Sequence, residues 1–193
     1  LLRIWASLRF DDHRGLFPSL MTCTPQGFHG TLVRTKTTGL GKHKEELEFV
    51  VDRAAYVCVP SWLDLGWRLW EGVFPQRDFF LGLPSSDRSA MRCIEARYAD
   101  SAAMSQALLA SLRLPSGALV FAGPTACRFW TEHSDRASVI SIAATMLDVD
   151  AAWLDDLVRW SRGSSSAYIR TQLFRVRSIQ VKVAGWARAQ SQV

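Results

Sequence analysis

Six side chains able to act on a phosphate group occur in separate stretches of this sequence. Arg9 stands in Leu8-Arg-Phe-Asp-Asp12, with Asp12 three residues on, and Lys36 follows 27 residues after Arg9 in Arg-Thr-Lys-Thr. His133-Ser-Asp-Arg136 supplies an H-x-x-R, Trp160 comes 24 residues later in Arg-Trp-Ser, and Tyr168 eight further on. Arginine offers a planar fork of donors that matches two oxygens of a phosphate, which lysine does less well. Imidazole and indole add single donors. A phosphodiester attacked by an oxygen nucleophile gathers charge on its non-bridging oxygens and on the leaving oxygen, so catalysis is mainly positioning and electrostatic stabilisation. Each residue also has a plainer use. Tyr168 beside Ile169 suits half-buried packing, and Trp160 suits a core that Trp153, Leu154 and Leu157 begin. Lys36 suits a solvent-facing hairpin, Asp12 a turn cap and His133 a helix start.

The elements that must hold these groups follow from pattern. Residues 1–8 read as the end of a helix, and residues 15–27 as a loop with turn signals at Gly15, Pro18 and Pro25-Gln-Gly27. Residues 28–35 alternate as a strand, Thr38-Gly-Leu-Gly41 is a turn, and residues 46–51 return, giving a β-hairpin that carries Lys36. Pro60 precedes a helix from Ser61. Residues 72–88, with two prolines and two glycines, read as loop. Residues 100–114 are helical up to Pro115. A helix opens at Thr131 or Glu132, placing His133 and Arg136 on one face, and runs to Leu147 with Val139, Ile140, Ala143, Met146 and Leu147 apolar. Asp150 caps the next helix, with Trp153, Leu154, Leu157 and Val158 on one side. Residues 164–174 and 176–188 complete a helical C-terminus. The expected fold is α+β and mostly α, with a small antiparallel sheet.

Composition sets the bounds. The 193 residues are 48% hydrophobic and 21% charged, a globular balance that excludes a mainly disordered chain and fits a single domain. No stretch approaches the ~20 apolar residues of a membrane span. Cys23, Cys58, Cys93 and Cys127 form no C-x-x-C pair and read as reduced thiols of an intracellular protein. The net charge of +5 is uneven: seven basic residues and no acid lie beyond residue 158 (Arg159, Arg162, Arg170, Arg175, Arg177, Lys182, Arg188), so the rest nets −2. A second basic cluster is Arg34, Lys36, Lys42, His43 and Lys44. Solvated faces account for such clusters; so does phosphate contact, where each neutralised phosphate releases counterions.

In their order Arg, Lys, H-x-x-R, Trp, Tyr, and in their spacing, these residues resemble the tyrosine recombinases, or phage integrases, whose catalytic domain is similar to that of type IB topoisomerases. The resemblance spans the chain and is dense at residues 5–16, 28–50 and 130–175. It implies a catalytic domain over residues 1–193 that cuts and rejoins double-stranded DNA with no metal or nucleotide cofactor, inside the cell wherever the DNA lies. Tyr168 would be the nucleophile, forming a 3′-phosphotyrosyl intermediate, and Lys36 the general acid for the departing 5′ oxygen. Arg9, Arg136, His133 and Trp160 would donate to the phosphate, and Asp12 would hold an arginine. Arg34, Lys42, Lys44, Arg159, Arg162 and Arg170 would contact DNA. The family assembles on DNA, often as a tetramer, and residues 176–193 would be a helix packing on a neighbour.

Three departures stand out. Leu147-Asp148-Val149 replaces the family's small-residue turn, Asp135 puts a carboxylate beside an anion site, and the family's N-terminal DNA-clamping domain is not represented. Other chemistry is poorly supported. Gly39-Leu-Gly-Lys42 lacks the Ser or Thr of a phosphate loop, no G-x-S-x-G occurs, and histidines 13, 29, 43 and 133 show no metal-ligand spacing. Two other readings stand beside the enzyme: a catalytically inactive DNA-binding relic of a mobile element, and an unrelated helical interaction protein whose basic residues lie scattered.

Overall fold

The computed structural model describes residues 1–33, 46–73, 77–87, 89–121, 126–158 and 166–191, with backbone alone at 73, 126, 127, 132 and 166–170. Its elements run α1 (Leu2–Trp5), α2 (Phe10–Arg14), β1 (Leu16–Thr24), β2 (Gly27–Leu32), β3 (Leu47–Asp52), α3 (Trp62–Val73), β4 (Gly82–Pro84), β5 (Met91–Glu95), α4 (Tyr98–Ser111), a 3-10 turn (Ala126–Phe129), α5 (Glu132–Met146), α6 (Ala151–Leu157) and α7 (Ser166–Gln190). The fold is α+β with small antiparallel sheets, as the sequence pattern implies.

The main sheet has the order β1-β2-β3, all antiparallel. Phe28 pairs with Val51, His29 with Val50 and Gly30 with Phe49. Opposite partners share a face, so Phe28, Phe49 and Val51 line one side and His29 and Val50 the other. Trp67 of α3 meets Phe28 on the first side, at 5.4 Å between ring centroids. On the second side lies α7, whose Arg177 reaches His29 Nε2 at 2.7 Å and Asp52 at 3.8 Å. This is why Phe49, Val50 and Val51 are all buried in a row. Gly30 is required by the packing, because a Cβ there would strike the Phe49 ring. Gly27 closes the β1–β2 turn at φ 138°, where a side chain would also strike the Val51 carbonyl.

Helix α7 is the central strut. Val176, Ile179, Val183 and Ala184 are buried, and the wholly buried Gln180 is satisfied through the sheet and α1. Its Oε1 accepts from the Asp52 N–H (2.7 Å), and its Nε2 donates to the carbonyls of Trp5 and Val50 (both 2.9 Å). Residues 176–184 thus pack on this chain's own sheet. Trp153 of α6 lies under both Arg175 and Lys182 of α7, at 5.6 and 5.7 Å. Arg175 also pairs with the buried Asp156 at 3.0 Å.

Several expectations are corrected. Residues 16–24, read as loop, form strand β1. Pro18 is tolerated there because β1 is an edge strand whose register shifts between Leu16 and Met21. The loop reading of residues 72–88 gives way in part to β4, paired with β5 in a second sheet. Asp87 closes their turn by accepting from Ser85 Oγ, Ser89 N and Ser89 Oγ, which pulls its carboxyl down to about 2. The C-terminal helical stretch is one helix, since nothing near Arg175 breaks it. Met146, placed on the apolar face of α5, is 59% exposed, while Val139 and Ala143 are buried. Asp150 caps α6 as expected, its carboxylate accepting from Ala152 N–H at 2.8 Å.

Candidate functional site

The site is built where the connector between α1 and α2 crosses the start of α5. Leu8, wholly buried, anchors that connector, and Arg9 follows as the exposed residue that precedes the first turn of α2. The Arg9 N–H donates to Asp12 Oδ2 at 3.0 Å, an acid in the first helical turn reaching back to a free backbone donor. This fixes the Arg9 backbone and leaves its side chain outside. Asp12 itself is 3% exposed.

Arg136 comes to the same carboxylate from 124 residues away. Its Nη1 lies 4.0 Å from Asp12 Oδ2, and its Nη2 donates to the Val158 carbonyl at 3.2 Å. Val158 ends α6, so an arginine caps a helix C-terminus there. Burial lowers the Arg136 pKa, the positive charge of Arg9 lowers it further, and Asp12 opposes both. Two guanidinium groups and one buried carboxylate therefore share one electrostatic neighbourhood.

The other members of the H-x-x-R tetrad divide the work of holding α5. Ser134 Oγ accepts from the Thr131 N–H at 3.0 Å and caps the helix. Asp135 is buried, with Oδ1 accepting from Trp130 Nε1 (2.7 Å) and Oδ2 from Arg3 Nη2 (2.5 Å). Its charge is spent on α1 rather than on the arginine site, which accounts for a carboxylate between His133 and Arg136. His133 is exposed in the first turn, one turn ahead of Arg136. At the far end of α5, Asp148 takes φ 47° and Val149 N–H caps the Ala143 carbonyl at 3.1 Å, so Leu147-Asp148-Val149 closes the helix without glycine.

A row of rings braces α2 from below. Phe49, Phe28, Trp67, Trp70, Phe80 and His13 follow one another with centroids 5.1 to 5.8 Å apart. His13 ends the row buried, and neither ring nitrogen has a hydrogen-bond partner among the described residues. Burial pushes its pKa down to about 3, Arg3 adding to the shift. Arg14 clamps Glu95 of β5 with two bonds, at 2.9 and 3.0 Å.

The structure thus gathers Arg9, Asp12 and Arg136 and sets His133 a turn from Arg136. Lys36, Arg34, Lys42, Lys44, Arg159, Trp160 and Arg162 lie outside the described residues. Tyr168 and Arg170 fall in the opening turns of α7, where the backbone alone is described. Sequence reasoning missed three supports: Ser7, the Val158 carbonyl and Arg3. A backbone carbonyl carries no residue signature, and a small residue in a short connector gives none either. Among the described residues no group of three or more His, Cys, Asp or Glu could hold a metal ion, and no helix is long and apolar enough to cross a membrane. Comparison of the chain with protein-family models, curated proteins and solved structures finds no match.

Proposed function

We propose that this chain is a tyrosine-recombinase-like DNA strand transferase. The observation that carries the reading is the meeting of Arg136 with the Asp12 carboxylate that holds the Arg9 backbone, two stretches distant in the sequence. A reading with scattered basic residues gives no reason for it. Two forked cations in one neighbourhood suit the two non-bridging oxygens of one phosphodiester, and the buried Asp12 carboxylate holds the backbone of one and faces the guanidinium of the other. The bond from Arg136 Nη2 to the Val158 carbonyl also ties the end of α6 to this position.

In this mechanism the Tyr168 phenol loses its proton to solvent and its oxygen bonds to phosphorus while the bond to the 5′ oxygen breaks. Lys36 gives the leaving oxygen its proton, producing a 5′ hydroxyl and a 3′-phosphotyrosyl enzyme. Attack by a 5′ hydroxyl on that intermediate reverses the step and releases the tyrosine. Arg9 and Arg136 hold the charge that develops between these states, His133 and Trp160 donating beside them. Assembly as a tetramer on double-stranded DNA, contacts from Arg34, Lys42, Lys44, Arg159, Arg162 and Arg170, and residence with DNA inside the cell belong to the same proposal.

A duplex with a nick near the cleavage point traps such an enzyme, because the short released strand diffuses away before rejoining. The expected result is a protein–DNA adduct that survives denaturation and disappears in Tyr168→Phe while salt-sensitive binding persists. Binding without any adduct overturns strand transfer in favour of a DNA-binding relic. Absence of both overturns the nucleic-acid reading in favour of a helical interaction protein.

A further inference from the structure

Ser7 holds a backbone conformation that side chains rarely adopt, φ 51°, and is wholly buried. Glycine is the usual answer to such a turn, since it meets no Cβ penalty there. Serine brings one thing glycine lacks. Its Oγ donates to the Arg136 carbonyl at 2.9 Å, across 129 residues of sequence. The turn is held on its near side too: Ser7 N–H donates to the Ile4 carbonyl (3.3 Å) and Leu8 N–H to the Arg3 carbonyl (3.0 Å). Two residues on, Arg9 leaves the connector.

We propose that Ser7 is a positioning residue for the Arg9–Arg136 pair, its hydroxyl setting the registry between the connector that bears one guanidinium and the helix that bears the other. The inference rests on the strand-transfer reading of this site. Asp12 joins the Arg9 backbone N–H to the Arg136 guanidinium; Ser7 joins the connector to the backbone of α5. With both ties in place the connector can neither slide along α5 nor rotate away from it. The Arg9 backbone then keeps a fixed place relative to the Arg136 fork before any phosphate arrives, which lowers the reorganisation that electrostatic binding requires. A serine kept in a strained turn for its hydroxyl follows from this role, whereas a purely structural turn is better served by glycine.

The test compares Ser7→Gly and Ser7→Ala, alone and combined with Arg136→Ala, by thermal melting and by binding of a short duplex DNA at low salt. Ser7→Gly relieves the backbone, so its melting temperature should stay the same or rise, while duplex affinity falls roughly tenfold. Ser7→Ala keeps the strain and should lose affinity by the same factor. In the Arg136→Ala background either change should alter affinity less than twofold, because there is no pair left to align. Affinity that follows melting temperature across the variants, or equal losses in both backgrounds, overturns the positioning role. If Arg9→Ala and Arg136→Ala leave duplex binding unchanged, the strand-transfer reading fails, and the positioning role built on it fails with it. If those two weaken binding and Ser7→Gly does not, the positioning role alone fails.

Discussion

Asp135 accepts from Arg3 and so turns its charge away from Arg136, its neighbour in sequence. Both side chains are about nine-tenths buried, at 10% and 11% exposed, and Arg3 also donates to Ser105 of α4 at 3.2 Å. One pair therefore joins α1, α4 and α5 and clears the arginine site of a competing carboxylate.

Breaking that pair from one side leaves a buried charge without its counter-ion, which typically costs several kcal/mol. Asp135→Asn is expected to lower unfolding free energy by about 3 kcal/mol, measured by urea denaturation. The double change Arg3→Met with Asp135→Leu should recover most of the loss. An additive outcome would show that the two residues do not act as a pair.

Gln180 satisfies three backbone groups with one buried amide. Gln180→Leu is nearly isosteric yet strands the Asp52 N–H and the Trp5 and Val50 carbonyls, each a group whose burial without a partner is costly. A loss of about 3 kcal/mol is expected in chemical denaturation. Hydrogen exchange should also speed up at Asp52, the donor left exposed to opening.

His13 gives stability a pH dependence of definite sign. In the folded protein it stays neutral down to about pH 3, whereas in the unfolded chain it gains a proton below about 6.5. The unfolded state therefore binds more protons between these values, and stability falls as pH drops through that window. At pH 5 the expected loss is about 2 kcal/mol relative to pH 7. His13→Phe should flatten the slope of unfolding free energy between pH 4 and pH 7 (roughly the window that the two pKa values span).

Arg136 tests the phosphate chemistry. Arg136→Lys keeps the charge and loses the fork that serves Asp12, Val158 and an anion together. Adduct formation on a nicked duplex should slow roughly 100-fold, with duplex affinity changed far less. Asp12→Asn should slow it by about tenfold, acting through the arginine it holds. Equal rates for all three proteins would exclude this guanidinium from the reacting phosphate.

What the sequence made legible was local. The helix after Pro60 and the Asp150 cap rest on neighbours within a few residues and β2–β3 on alternation within each strand, and each is found close to where the pattern put it. The Arg9–Asp12 spacing was visible, but the short helix α2 that Asp12 opens was not read from the pattern. β1 was hidden because Pro18 and Ser19 carry turn chemistry, and only its place at the sheet edge makes them harmless. β4 was hidden among prolines and glycines that a hairpin turn also uses. The ties that shape the site, Ser7 to Arg136, Arg136 to Val158 and Arg3 to Asp135, span 22 to 132 residues. Two of the three end on a backbone carbonyl, which any residue supplies, so no residue type announces them.

The tilted contact of Trp67 with Trp70, at 5.2 Å, places two indole chromophores close enough to share excitation. Phe80 and His13 continue that contact to α2. The protein consequently carries its own optical gauge: the signed ultraviolet dichroism of the coupled indoles reports, with no label attached, on α3 where it packs against Phe28 and Phe80.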